Sequence, residues 1–129
     1  MMTRPLQETR HWGEYTVLHQ LQSTEGASAL TKHLVLQPGK NISYQYHHHR
    51  SEVWVFIQGN GTLVLEGELL PVAPGVVVEI PALTKHSLQA TSELHFIEVQ
   101  RGFPLVEEDI VRLAVEWQEI LKLCQAQEA

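Results

Sequence analysis

The chain has little of what several classes of protein require. Its 129 residues include one cysteine, Cys124, so an internal disulfide is impossible and no pattern points to an oxidising compartment. The N-terminus has no apolar core of the kind that a signal peptide needs, and no apolar run approaches the length that spans a bilayer. We therefore expect a cytoplasmic protein with no membrane partner.

Basic residues are also scarce. Nine lysines and arginines stand against fifteen aspartates and glutamates, which gives a formal net charge of -6. Nucleic acids are bound by basic surfaces, so a nucleic-acid partner is not expected. Charged residues amount to 19% and apolar residues to 43%, as in ordinary globular proteins, and the length suits one domain with a buried core.

Short alternating or apolar segments, separated by Gly and Pro turns, make up the chain before residue 104. Besides the segment that carries Gln45 and His47, strands are predicted at about 14–21, 29–37, 53–58, 62–66, 69–73, 76–80, 86–91 and 93–100. Strands this short and this closely spaced are typical of an all-β sandwich or barrel. The polar residues 1–9 are expected to form a short arm.

The periodicity becomes helical after Gly102-Phe103-Pro104. Apolar residues then recur on one helical face, namely Ile110, Leu113, Ala114, Trp117, Ile120, Leu121 and Cys124. The acidic residues at 107–109 suit the start of a helix. We predict a single domain over 1–129, with a barrel over about 10–104 and a C-terminal helix over about 107–125 that covers the barrel flank or a second subunit.

Four side chains in two segments form a candidate metal site. Gln45 and His47 are two residues apart in a strand and so share one face, while Glu52 begins the returning strand. A strand, a proline and a short loop then deliver His86. An amide oxygen, two imidazoles and a carboxylate suit a divalent metal. We expect zinc, with manganese, cobalt, iron or nickel as alternatives.

The two segments have motif spacing. The first reads G-x5-Q-x-H-x4-E-x6-G from Gly39 to Gly59, and the second reads G-x5-P-x4-H from Gly75 to His86. They resemble the two motifs of the cupins, with Gln45 in place of the first histidine. The resemblance implies a double-stranded β-helix, a jelly-roll barrel.

Flanking motifs narrow the resemblance to one group of cupins. They are Arg10-His11-Trp12-Gly13-Glu14-Tyr15, Glu98-Val99-Gln100-Arg101-Gly102 and Glu108-Asp109-Ile110-Val111-Arg112, in that order around the central motif. This arrangement is similar to the cupin domain of type II mannose-6-phosphate isomerases over roughly residues 10 to 112. The resemblance implies aldose–ketose isomerisation of a sugar phosphate at the metal. Together with the apolar C-terminal stripe, it also implies a homodimer.

Recognition of the substrate's phosphate requires cations, which gives candidate substrate contacts. Lys32, Arg50 and Arg112 match the family's pattern, and Lys32 also shares a strand face with leucines. His49 is expected on the metal side of its strand by alternation, as a substrate-facing or supporting residue. Glu98 is the candidate general base, and Glu79 is another strand carboxylate that could serve. A purely structural hydrogen bond is the other possible role of each.

Two other functions remain open at the level of the sequence. A non-catalytic sensor of a sugar or sugar phosphate would keep the metal and lack the base. An oxygen-using dioxygenase would bind iron, with His49 as a further ligand. Cupins host many activities, so whether the chain is an enzyme is also open.

Overall fold

The structure, a computed structural model, describes residues 6–23 and 26–128. These residues form eleven strands and one helix. The strands are β1 (Leu6–Arg10), β2 (Gly13–Leu21), β3 (Ser28–Leu36), β4 (Tyr44–Tyr46), β5 (Arg50–Gln58), β6 (Gly61–Leu65), β7 (Glu68–Val72), β8 (Val77–Ile80), β9 (His86–Ala90), β10 (Leu94–Gly102) and β11 (Val111–Ala114), and the helix is α1 (Trp117–Glu128). The predicted all-β jelly roll with a C-terminal helix is confirmed.

The strands form two sheets that enclose the core. The six-stranded sheet has the order β1-β2-β3-β10-β5-β8 and the five-stranded sheet has the order β11-β4-β9-β6-β7. Neighbouring strands are antiparallel throughout the described residues. Apolar residues of both sheets, such as Phe56 and Phe96 on one and Leu63 and Leu88 on the other, meet in one cluster between them.

The barrel interior changes character along β3, β10 and β5. Across these strands, successive inward rungs are Leu34, Phe96 and Phe56, then Lys32, Glu98 and Trp54, then Leu30, Gln100 and Glu52. We call the end with the aromatic rung the apolar half and the end with the charged rungs the polar half. The change occurs within two residues, which is one repeat of strand alternation.

The motif glycine at the end of β5 has a conformational role. Gly59 has a φ of 88°, in the left-handed region that favours glycine. A Cβ atom there would lie 2.1 Å from the carbonyl oxygen of Glu93, so the close approach of the two turns requires the absence of a side chain.

The N-terminal segment differs from the expected polar arm. Residues 1–5 lie outside the described residues, but Leu6–Arg10 forms β1 and pairs with β2 from Leu6 opposite Val17 to Arg10 opposite Gly13. β1 is the outermost strand of its sheet. An edge strand with solvated side chains does not need an apolar sequence, and polar edges are common in sheets.

The C-terminal helix begins later than predicted, so the start at about 107 is wrong. Val111–Ala114 is strand β11, which pairs with β4. A register shift between Arg112 and Ala114 interrupts the two-residue alternation. It leaves apolar residues three or four positions apart, and this spacing resembles a helical stripe. The acidic residues 107–109 precede β11 rather than cap the helix.

The helix covers the barrel flank. Ile120 and Cys124 of α1 are buried against Tyr44 and Val64 on the outer face of the five-stranded sheet, and Trp117 packs beside them. The apolar stripe therefore has a partner within the chain, and the homodimer stays a prediction. No helix in the described ranges is long and apolar enough to cross a membrane.

Candidate metal centre

Strand pairing brings the predicted ligands together at the polar half. Gln45 on β4 lies directly opposite His86 on β9, so the two side chains leave the sheet on the same face. His47 follows β4 immediately, and Glu52 is the third residue of β5. His47, Glu52 and His86 are all buried, and their nearest donor atoms lie within 4.8 Å of one another.

The donor spacing suits a shared cation. Nε2 of His47 lies 3.1 Å from Oε2 of Glu52. Two ligands that each bind zinc at about 2.1 Å lie roughly 3 to 3.5 Å apart in tetrahedral geometry.

Backbone carbonyls orient both imidazole rings. Nδ1 of His47 lies 2.7 Å from the carbonyl oxygen of Asp109, and Nδ1 of His86 lies 2.8 Å from that of Thr84. A carbonyl can only accept, so each Nδ1 carries the proton and each Nε2 keeps a lone pair when the ring is neutral. Burial also lowers the pKa of His86, which favours the neutral ring. This arrangement is typical of metal-binding histidines.

A buried nitrogen of His86 supports the fit to a metal. Its Nε2 has no hydrogen-bond partner within the described part of the chain. Buried polar atoms nearly always have partners, because an unsatisfied one costs about 1–3 kcal/mol. A lone pair that faces other donors and lacks a protein partner is what a metal ligand presents.

Glu52 is held as an ionised carboxylate. Trp54 donates its indole N–H to Oε1 at 2.7 Å, and Arg50 donates Nε–H to Oε2 at 3.0 Å. Burial by itself raises the pKa of Glu52, but its polar and cationic neighbours, the Arg50 guanidinium among them, outweigh burial and lower the pKa. A carboxylate that stays ionised can supply the negative charge that a divalent cation requires.

Arg50 also contacts His47. Its Nη2 lies 3.0 Å from Nε2 of His47. A metal on this nitrogen would replace that contact, while the Nε–H bond to Glu52 uses a different atom of the guanidinium. His47, Glu52 and His86, which we call the donor set, therefore fit a divalent metal when Nη2 of Arg50 moves away from His47.

A cavity of about 300 Å³ opens at the polar half. This volume is at the lower end of ligand pockets and is large enough for a small molecule. Its walls include two tryptophans, a tyrosine, the proposed ligand Gln45, four cations and two carboxylates, namely Trp12, Tyr15, Trp54, Gln45, Arg10, Lys32, Arg50, Arg112, Glu98 and Glu107. The four cations favour an anionic ligand.

Lys32 and Glu98 lie side by side on the adjacent strands β3 and β10, and both line this cavity. They are directly paired between β3 and β10, and each is only 6% exposed. Burial and the charge of Glu52 raise the pKa of Glu98 to about 8. Gln100 donates a hydrogen bond to Oε1 of Glu98. A carboxyl with a pKa near neutrality can both accept and donate a proton.

The structure separates the other predicted contacts into two groups. Arg50 and Arg112 line the cavity, and Arg112 lies opposite Gln45 in the pairing of β11 with β4. His49 does not line it. β4 ends at Tyr46, so strand alternation does not extend to His49, whose exposed ring borders a shallow surface depression instead. The expected position of His49 on the metal side is therefore wrong.

Asp109 is a supporting residue that the sequence did not reveal. Its carboxylate accepts the backbone N–H groups of His48 and His49 at 2.8 Å each, while its carbonyl accepts from His47. The loop before β11 thus holds the bend that carries His47. Its acidic neighbours made it resemble the first turn of a helix, and only the pairing of β11 with β4 places it here.

Arg10 and Glu107 are further cavity residues missed in the sequence. Arg10 entered only as part of a flanking motif, and it reaches the cavity because β1 pairs with β2. Its Nη2 donates to the Tyr15 hydroxyl at 3.2 Å. Glu107 lies in the connection between β10 and β11. The signal that could have indicated an edge strand is the turn at residues 11–12, which separates the polar residues 7–10 from the alternating strand that follows.

Comparison with known proteins agrees with this arrangement. A family model described as the C-terminal part of mannose-6-phosphate isomerase matches residues 3–115. A mannose-1-phosphate guanylyltransferase from Salmonella muenchen is 34% identical over 110 residues, which is 84% of this chain and 22% of that protein. The alginate biosynthesis protein AlgA from Pseudomonas aeruginosa is 32% identical over 106 residues, 81% of this chain and 21% of that protein.

The chain thus spans about a fifth of the length of these curated relatives. Among solved structures, the capsular polysaccharide assembling protein CapF from Staphylococcus aureus superimposes with a TM-score of 0.68 at 15% identity, over 88% of this chain and 33% of that chain. At this identity the likeness shows the cupin fold alone. Because the family model covers most of its length, the chain belongs to the family of mannose-6-phosphate isomerase C-terminal domains.

Proposed function

We propose that this chain catalyses metal-dependent aldose–ketose isomerisation of a sugar phosphate, with mannose 6-phosphate as the first candidate. The observation that carries the proposal is the polar half itself. Gln45, a buried carboxyl with a raised pKa and several cations line one cavity, and Gln45 lies directly opposite His86 of the buried donor set. The family's description and the relatives' names, which refer to mannose phosphates, support the choice of substrate class.

The metal would be held by His47, Glu52 and His86, with Gln45 as the fourth ligand. Gln45 lines the cavity opposite His86, and its Oε1 accepts a hydrogen bond from the Ser43 hydroxyl at 2.7 Å, which fixes the orientation of the amide. A bound divalent ion would draw electron density from the sugar's carbonyl and hydroxyl oxygens, which makes the adjacent carbon-bound proton easier to remove.

Glu98 is the group that would move the proton. Isomerisation moves a proton from one carbon of the sugar to its neighbour, so a single group that accepts the proton and returns it can serve both steps. Glu98 lies in the cavity wall, and its raised pKa of about 8 makes the carboxylate a stronger base than an exposed glutamate. The hydrogen bond from Gln100 fixes the direction of the carboxyl group.

The sugar's phosphate would bind to cations in the cavity wall, of which Arg50 also contacts His47 and Glu52 of the donor set. Lys32, Arg50 and Arg112 remain the proposed contacts, and Arg10 joins them on structural grounds. Lys32 stands out because its ammonium is buried, and a charge-assisted hydrogen bond to a buried amine contributes about 1.5–3 kcal/mol. Phosphate held at one end and metal at the other would fix the reacting carbons between them.

The test is exchange of the C2 proton of mannose 6-phosphate with solvent, measured by NMR after the metal content is established. Glu98→Gln should slow exchange by about 100- to 10,000-fold, the usual contribution of a general base, with unchanged metal content. Glu79→Gln is the matched control, because Glu79 is an exposed carboxylate on the neighbouring part of the same sheet and should leave exchange unchanged.

The same measurement separates the alternatives. Binding of mannose 6-phosphate without exchange in the zinc, cobalt and manganese forms would replace the isomerase with a non-catalytic sensor. Failure of the sugar phosphate to bind would show that the proposed substrate is wrong.

A further inference from the structure

The buried ammonium of Lys32 depends on an exposed partner. Nζ of Lys32 lies 4.2 Å from the centroid of the Tyr15 ring and 3.6 Å from Oε1 of Glu107. The Lys32 side chain is 8% exposed, whereas that of Glu107 is 72% exposed. A buried charge is costly without a counterion. Burial raises the pKa of Glu98, the other nearby carboxyl, and so favours its neutral form.

The contact between Lys32 and Glu107 is a weak one. A separation of 3.6 Å is too long for a direct hydrogen bond, and the glutamate belongs to an exposed connection between strands. The exposed carboxylate of Glu107 is screened by solvent, which weakens its attraction to the ammonium. A ligand with a stronger negative charge can therefore replace Glu107.

The neighbouring cavity provides space for the replaced side chain. Glu107 lines the barrel cavity and also a second cavity of about 220 Å³, whose walls include Gln20, Gln22 and Ser28. Amide and hydroxyl groups there could donate hydrogen bonds to a carboxylate. Asp109, two residues later, is fixed to the bend at His48 and His49, so a rotation of Glu107 leaves the metal-bearing bend in place.

We propose that Glu107 is an internal anion that occupies the phosphate position at Lys32 until the phosphate of a ligand replaces it. Glu107 is then a specificity-determining residue. It lowers the affinity for every anion that must reach Lys32 and leaves the affinity for neutral sugars unchanged. The inference rests on the proposed function only in taking a sugar phosphate as the ligand.

The experiment compares Glu107→Gln with Glu108→Gln in the full-length, metal-loaded protein. Glu108 is the matched control because it is an adjacent exposed glutamate and is not among the residues that line either cavity. Calorimetry would measure the binding of mannose 6-phosphate, inorganic phosphate and mannose. Glu107→Gln should tighten the binding of mannose 6-phosphate and of inorganic phosphate by about three- to fivefold, the size of a weak ion pair. The affinity for mannose should not change.

A double mutant shows whether the effect passes through Lys32. In a Lys32→Met background, the additional change Glu107→Gln should have no effect on phosphate binding, because the contact that it relieves is already gone. Equal effects of the two glutamine variants, a gain that persists in Lys32→Met, or no binding of either phosphate to any variant would overturn the inference. Tighter phosphate binding without C2 proton exchange would instead contradict isomerisation and leave the role of Glu107 standing.

Discussion

The apolar half and the polar half of the barrel interior are built on the same three strands, yet their contributions to stability are opposite. In the apolar half Phe96 stacks on Phe56 with 5.3 Å between ring centroids, and both are almost fully buried. Burying one such side chain contributes about 1.5–3 kcal/mol. In the polar half Lys32, Glu52 and Glu98 are nearly as buried, and buried charges cost free energy unless they are paired.

The difference shows how one barrel accommodates buried polar and charged groups. Trp54 joins the halves, because its ring packs against Phe56 and Phe96 while its N–H donates to Glu52. The apolar half provides a rigid base, so the donor set can contain an unsatisfied nitrogen and a carboxyl of raised pKa. Mutations in the two halves should therefore have separable effects on stability and on function.

The largest effect is expected from the polar half. His86→Ala removes a donor and should abolish stoichiometric metal binding. Without metal, the free energies of unfolding of the variant and the parent should differ by no more than about 1 kcal/mol, because removal of an unsatisfied nitrogen offsets the lost packing. Metal would be measured by mass spectrometry of untagged protein purified without a nickel column. His48→Ala is the control, since His48 is exposed, and full metal content in His86→Ala would contradict the site.

The apolar half should show the reverse pattern. Phe96→Ala should lower the free energy of unfolding by about 3–5 kcal/mol, because it leaves a cavity beside Phe56 and Trp54. The folded fraction should bind metal at the normal stoichiometry. Urea denaturation measures the change, with Ile57→Ala as the control because this side chain is 53% exposed. Loss of metal in folded Phe96→Ala would show that the halves are not separable.

The polar half should also give the metal-free protein a pH-dependent stability. The pKa of Glu98 is raised from 4.5 to about 8, so between these values the folded state keeps a proton that the unfolded state releases. The free energy of unfolding should therefore fall as the pH rises from about 5 to 8, by up to about 1.4 kcal/mol per pH unit. The lowered pKa of Glu52 acts only in more acidic solution.

Glu98→Gln isolates this contribution. Urea denaturation of parent and variant with a chelator present should show a smaller slope with pH in the variant, while the histidine contributions are common to both proteins. Equal slopes would show that Glu98 ionises normally in the barrel.

Local patterns predicted most of the fold. Alternation and turn residues located the central strands and placed Lys32 on the inward face of β3, because each depends on residues close in sequence. The motif spacing likewise indicated His47, Glu52 and His86, which the structure brings together. Gln45 as fourth ligand stays a prediction.

Features that depend on distant parts of the chain could not be predicted in the same way. The strand β11 was hidden by its register shift, and β1 by its polar edge position. The support that Asp109 gives to His47 exists only when β11 pairs with β4. His49 was misplaced because alternation was extended past the end of a three-residue strand.

The carbonyl of Asp109 has a consequence for how the site is completed during synthesis of the chain. It lies 62 positions after His47, whose ring it orients. A nascent chain that has emerged only as far as β10 already contains Gln45, His47, Glu52 and His86, but it lacks the acceptor for the Nδ1–H of His47. The oriented donor set therefore arises late on the ribosome, after the strands that carry all four side chains are available to fold.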